Sequence, residues 1–530
     1  MFKKPVAALI LAAAVASTAA AQDAKTVITN VSKAMGYDQL KSIEYSGSGV
    51  EGTAMGQAQS AAKGWPHFTL KNYTRYIDVN AGTGQQTALR SRPAEPDGQL
   101  AGGGGLNPVA EAPNTTVFAA NAAWNAPNGA KLEIALSPPE FVKLASTASD
   151  ATVSQRTVNG KKYTVVSFPV EQKAQSGMPY TLTGYIDSQN MIAKVETKVE
   201  DNVIGDMLVE QSYSDYKDFG GVKFPAKIVQ TREGLAWTNL TVTDVKPNAA
   251  APEAPAAGGG RGGRGGPGAE GRGQAAGRGE GRGGPAPEGR GQAAGGAGRG
   301  GAPAAAAVTS KKLADGIYLI TGGYRSVAVE MKDHVVLLEA PQSEMTTTAI
   351  IEEVKKTIPN KPIKYVVNTH SHADHSGGLR AAAAEGAIII THESNKPLYE
   401  KWFTNSRTLL MPDKLSQSEK KAKFEYIGEK KVLKDSMNTI ELYHIKAAHA
   451  EDLLIAYLPA IKAVFEADGF NPPAANAAPP QQVNGFEKLL AAKMDELKLD
   501  VNTIISVHQP AGGDRDVTKA DLLKNIGKGN

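Results

Sequence analysis

The sequence contains no cysteine. Disulfides are excluded, and so are thiolate metal sites, so any metal must be bound by imidazole and carboxylate. Aromatic residues are sparse, at 6%. Beyond the N-terminal residues no apolar run approaches the ~18 residues of a membrane helix, which predicts no transmembrane segment in the mature chain. Charge of one sign is not in large excess either. The formal net charge is +4 over 530 residues, and its basic surplus lies at the N-terminus and in an Arg-rich linker. The folded parts are near neutral, which predicts no nucleic-acid partner. Histidine is also scarce, with nine in the chain.

A chain of 530 residues is too long for one ordinary core. Residues 1–21 begin with Lys3 and Lys4, continue through an apolar run over 5–16 and end in Ala19-Ala20-Ala21. This is the pattern of a secretory signal peptide, and it predicts a periplasmic or secreted protein. Residues 249–308 are built almost wholly of Ala, Gly, Pro, Arg, Glu and Gln, and the octet "EGRGQAAG" occurs at 270–277 and again at 288–295. Such a segment cannot bury enough apolar area to offset its ordering entropy, so it reads as a disordered linker. It divides the chain into two folded parts, 22–248 and 309–530.

The first part opens with a helical stretch and then alternates, with turn signals such as Asn159-Gly160 between "TVSQRTV" and "KKYTVVSF". This predicts a mainly antiparallel β domain. It has no cluster of titratable residues. The run "YSDYKDFGGVKFPAKI" and its neighbouring strands, within 150–248, resemble the half-barrel of bacterial lipoprotein carriers. That resemblance implies a concave apolar surface for a hydrophobic ligand.

The second part alternates strands and helices. At the end of the strand "IKYVVNT" stands "NTHSHADHSGGLR", which places His370, His372, Asp374 and His375 within six positions. Neutral imidazole gives one nitrogen to a metal and keeps the other for an orienting hydrogen bond. His449, Asp468 and His508 each follow an apolar strand in the same way. Four strand ends converging on one sheet edge would assemble seven donors, enough for two ions. Among the other histidines, His444 reads as packing, His392 has no assigned partner and His334 looks solvated. The segment 401–424 is expected to roof the cleft.

The order THSHADH, His449, Asp468, His508 resembles the metallo-β-lactamase-fold superfamily over essentially all of 309–530. The resemblance implies an α/β fold, a four-layer αβ/βα sandwich with the metals at one rim. It further implies that His370, His372 and His449 hold one ion and that Asp374, His375 and His508 hold the other. Asp468 takes the place of a bridging carboxylate. Asp374 would bind and orient the nucleophile, and Asp452, three residues past His449, would fix that loop. The donor set suits zinc, two ions per chain, with iron or manganese as alternatives.

The expected function is an exported dinuclear hydrolase that uses a metal-bound hydroxide on a small-molecule ester, lactone, lactam or thioester. Lack of cysteine excludes the cysteine-bearing β-lactamase subclass, and Asp468 resembles the superfamily's thioesterases, lactonases and phosphodiesterases. Where many members end an early strand in Asp-x-Gly, this chain has "LLEAP", with Glu339 and Pro341. The alternatives are a mononuclear iron sulfur dioxygenase of the same fold, or a hydrophobic-ligand carrier acting through the N-terminal domain.

Overall fold

The computed structural model describes residues 24–96, 98–102, 109–124, 130–253, 307–478, 480 and 483–528. The expected signal peptide and nearly all of the expected linker lie outside these residues. Among the described residues, no helix is long and apolar enough to cross a membrane.

The N-terminal part is an eleven-stranded antiparallel sheet. Neighbours in sequence pair throughout, except that Val109–Phe118 and Thr152–Val158 form the two edges, while the first strand, Ser42–Gly52, also pairs with the last, Leu235–Pro247. Asn159-Gly160 closes the expected hairpin between Thr152–Val158 and Lys161–Lys173, with φ of +49° and +77° at the two turn residues. Positive φ at both positions matches the right-handed twist of the strands, and Asn-Gly tolerates it best.

Short helices at Ala130–Ala135 and Pro138–Thr147 fill one face of this sheet. Phe141 packs against Phe168 and into the space left by Gly184, where a Cβ would stand 2.2 Å from its ring. Beside it the face turns polar. Buried Glu133 accepts from Arg232 Nη2 at 2.8 Å and from Gln230 Nε2 at 3.1 Å, and it lies 3.6 Å from Arg75 Nη1. Desolvating those charges is repaid only by their mutual pairing.

The C-terminal part holds a seven-stranded sheet and a five-stranded sheet, each in sequential strand order. Val335–Leu338, Ile363–Val367, Ile388–His392 and Lys423–Ile427 run parallel in the larger sheet. Val335–Leu338, buried at every position, needs an unbroken apolar run rather than alternation. Val336, Leu338, Val367 and Ile390 meet Ile440, Leu454 and Phe465 of the smaller sheet. The opposite sides, Val335, Leu337, Val366 and Ile389, face the helix Glu344–Thr357 through Ile350, Ile351 and Val354. Phe486, Leu490 and Met494 of the helix Gly485–Glu496 cover the outer side of the smaller sheet. The result is the expected order of helix, sheet, sheet, helix.

Residues 24–250 and 307–528 belong to one compact unit, and a single hydrophobic cluster runs through both. The segment 401–424 does not roof the cleft as expected, because its first half is bound to the N-terminal sheet. Asp206 accepts from Thr408 N and Oγ1 at 2.9 and 2.8 Å and from Leu409 N at 2.9 Å. Asn405 Nδ2 donates to Ile204 O and Glu233 Oε1, both at 3.1 Å. Such buried contacts are lost only if both partners find water again. Protein cut within 254–306 is therefore expected to stay together: after removal of the protease, gel filtration should give one peak containing both fragments. Two separate peaks from the cut protein would contradict this.

Candidate metal centre

The strand Ile363–Val367 ends at Asn368, and that side chain shapes the loop that follows. Its Nδ2 donates to His370 O at 2.7 Å and to His375 O at 3.2 Å, while its Oδ1 accepts from Tyr399 Oη. The loop then turns through the short helix Ala373–Ser376 into Gly377-Gly378. A Cβ on Gly377 would stand 2.2 Å from Gln342 O, and one on Gly378 would stand 1.8 Å from Thr347 Oγ1. Only glycine permits so close an approach of the loop to the neighbouring backbone.

Donor atoms of His370, His372, His449 and Asp468 lie within 4.8 Å of one another, as do those of Asp374, His375 and His508. Asp468 touches both groups. Its Oδ2 lies 2.8 Å from His449 Nε2 and 3.4 Å from both His370 Nε2 and His375 Nε2. Its Oδ1 lies 2.6 Å from His508 Nε2. Asp468 holds this place with φ +60°, a left-handed conformation that Asp tolerates better than most side chains.

Neighbouring groups orient each donor. Asp374 Oδ1 accepts from Gln57 Nε2 at 3.0 Å and its Oδ2 from Tyr324 Oη at 2.9 Å. His372 Nε2 donates to Ala58 O at 3.0 Å, which leaves Nδ1 as the lone-pair atom. Glu339, buried with φ +76°, approaches His375 Nδ1 at 3.9 Å. The glutamate that stands in place of the usual Asp-x-Gly thus faces His375 from behind. Asp452 Oδ2 accepts from Ser371 N at 2.7 Å. It thus ties the His449 loop to the His370 loop.

Burial holds His370 far below its usual value, down to about 3, and lowers His372 as well. Both are neutral imidazoles with a lone pair to offer. His375 is also pulled down by burial, but the Asp374 and Asp468 carboxylates raise it above its usual value. The two carboxylates in turn stay ionised against burial because His375 faces them. Such an arrangement calls for positive charge at its centre. His370 Nε2, His372 Nδ1 and both ring nitrogens of His375 are buried without a hydrogen-bond partner. Buried polar atoms are rarely left so, and divalent cations would satisfy one nitrogen of each ring, with His375 Nδ1 left facing Glu339.

A second group, His392, Glu429 and His444, also brings its donor atoms together. Its two rings stack with centroids 3.7 Å apart and planes within 10°. A chelated ion lies near the plane of each imidazole, and two stacked parallel planes share no such point. His444 is bonded instead to Glu451 O at 2.8 Å and to Glu429 Oε1 at 3.1 Å. It is thus a satisfied buried histidine. His334 is not solvated as expected, for its ring packs edge-on against Tyr365.

All seven predicted donors therefore converge. Sequence reasoning missed Gln57, Ala58, Tyr324 and Asn368. Asn368 alone carried a signal, standing at the strand end within the quoted cluster.

Residues 327–434 match the model of the metallo-beta-lactamase superfamily. A stretch of 79 residues is 34% identical to a linear primary-alkylsulfatase of a Pseudomonas species, covering 14% of this chain. The match spans only 12% of that relative's length. Among solved structures, a metallo-beta-lactamase from Pontibacter korlensis is 16% identical, with 42% of this chain and 98% of that chain covered and a TM-score of 0.33. One from Hirschia baltica is 17% identical, with 42% and 97% covered and a TM-score of 0.31.

Proposed function

Taking as premise that residues 327–434 are a segment of the metallo-β-lactamase superfamily, we propose that the protein is an exported dinuclear metallohydrolase. Its substrate class is an ester, lactone, lactam or thioester. The observation that carries this reading is Asp468, whose two oxygens reach histidines of both donor groups. His370, His372 and His449 would hold one ion, Asp374, His375 and His508 the other, and Asp468 both. Zinc is the first choice for imidazole and carboxylate without thiolate.

Divalent cations held by these residues would supply a water of lowered pKa and polarise the scissile group. The chain's own residues orient the reaction. Asp374, held at both oxygens by Gln57 and Tyr324, would orient the attacking water. Tyr324 Oη bonds to Asp374 Oδ2 and its ring lies 4.5 Å from that of His508, which makes it one wall of the site. Phe486, stacked on His449 with centroids 5.5 Å apart, covers that ring and limits water on its side.

The test is metal analysis of the purified full chain with a hydrolysis screen over lactones, β-lactams, thioesters and phosphodiesters. The alkylsulfatase similarity adds primary alkyl sulfates. Close to two metals per chain and hydrolysis abolished by a chelator are expected. One iron per chain with oxygen uptake on a sulfur compound would replace this reading with the dioxygenase. Export is tested separately, by finding Gln22 as the first residue of the mature protein.

A further inference from the structure

Residues 53–66 join Ser42–Gly52 to His67–Asp78, two neighbouring antiparallel strands of the N-terminal sheet. Hairpins usually close with 2–5 residues, so a connection this long has another task. It is built as a firm projection. Thr53 N donates to Pro66 O at 2.8 Å, Gln59 N to Gly64 O at 2.9 Å and Gly64 N to Ser60 O at 2.9 Å. Buried Trp65 anchors its base, donating from Nε1 to Arg232 O at 3.2 Å.

The tip meets the donor loop with consecutive residues. Ala373 N donates to Gly56 O at 2.7 Å, Gln57 Nε2 to Asp374 Oδ1 at 3.0 Å, and His372 Nε2 to Ala58 O at 3.0 Å. Gln59 O then accepts from Glu451 N at 2.9 Å, on the loop that carries His449. Gly56 has φ +69°, and a Cβ there would stand 2.5 Å from that of Ala373.

We propose that this connection is a working part of the metal centre, so that the N-terminal sheet completes the active site in place of serving as a separate module. The inference rests on the metallohydrolase reading above. Ala58 O can only accept, so it holds His372 with the proton on Nε2 and the lone pair of Nδ1 toward the other donors. Gln57 holds one oxygen of Asp374 while Tyr324 holds the other, which sets the plane of the carboxylate. Both are positioning residues, and groups of this kind typically contribute 10–100-fold to metal affinity or activity.

The test uses the full chain, stripped and then titrated with Zn²⁺ against a chromophoric chelator, with kinetics on whichever substrate the screen finds. Gln57→Ala is expected to weaken zinc binding about 10–100-fold and to lower kcat more than it changes KM. Gln57→Glu should be worse, because an acceptor then faces the Asp374 carboxylate. Gly56→Ala should also lose affinity by pushing the tip off Ala373. Gly160→Ala is the control: its φ is +77° but nothing lies within 4 Å of the added Cβ, so it imposes similar backbone strain far from the site. If wild-type protein binds zinc and both Gln57 variants bind it equally well, this inference fails alone. If wild-type protein binds no metal under any condition, it fails together with the reading beneath it.

Discussion

Asp468→Asn is expected to reduce metal affinity and to cut turnover about 10²-fold or more. The carboxylate touches His449, His370 and His375 through one oxygen and His508 through the other. Its negative charge is therefore shared by both donor groups. Asparagine keeps the shape but removes the charge, and its NH₂ end cannot coordinate. It is also a clean substitution for the backbone, since asparagine tolerates the φ of +60° that Asp468 adopts. A loss measured in this variant then reports the missing charge. Asp468→Cys would offer a thiolate ligand but strains the same φ, so only partial recovery of metal binding is expected. Metal content and kcat measured on the same preparations decide the matter. If Asp468→Asn keeps both, the residue is a bystander, and lactam hydrolysis becomes the first activity to examine.

Removing the metal should also lower thermal stability by several degrees, reversibly. In the metal-free chain, His370, His372 and His375 are fully buried and carry unpartnered ring nitrogens beside two ionised carboxylates. A ligand that binds only the folded state stabilises it by about 4 kcal/mol at a thousand-fold excess over its Kd. The unfolded chain has no thiol to compete for the ion. A melting curve in chelator should therefore lie below one in added Zn²⁺, and Asp468→Asn should narrow the gap. Identical curves would mean that the cluster does not bind the ion, whatever its geometry.

The halves differ in how far their chemistry could be read in advance. His370, His372, Asp374 and His375 were legible because one strand end and one turn present them together, and local chain geometry suffices for that. His449, Asp468 and His508 were legible because each follows an apolar strand, and Thr439–Ile445, Ala463–Glu466 and Thr503–Ser506 all run in one direction and so deliver their ends to one edge. Even the positive φ at Asn159-Gly160 follows from two adjacent residues.

What surrounds the donors was not legible. Gln57 and Asp374 are 317 positions apart, and nothing in "MGQAQSAAKG" marks a partner for a metal ligand. Glu339 looked like a departure from pattern until its carboxylate was found behind His375 Nδ1. The segment 401–424 has a composition that suits a lid as well as a brace, and Asp206, far off in sequence, selects the brace. By itself the sequence determined which atoms can bind a metal and which strand ends carry them, since donor type and strand periodicity are local properties. Only the tertiary structure decided which groups hold those donors in place and that the N-terminal sheet supplies some of them. Hydrogen bonds between residues hundreds of positions apart depend on how two sheets dock, and no local pattern encodes that.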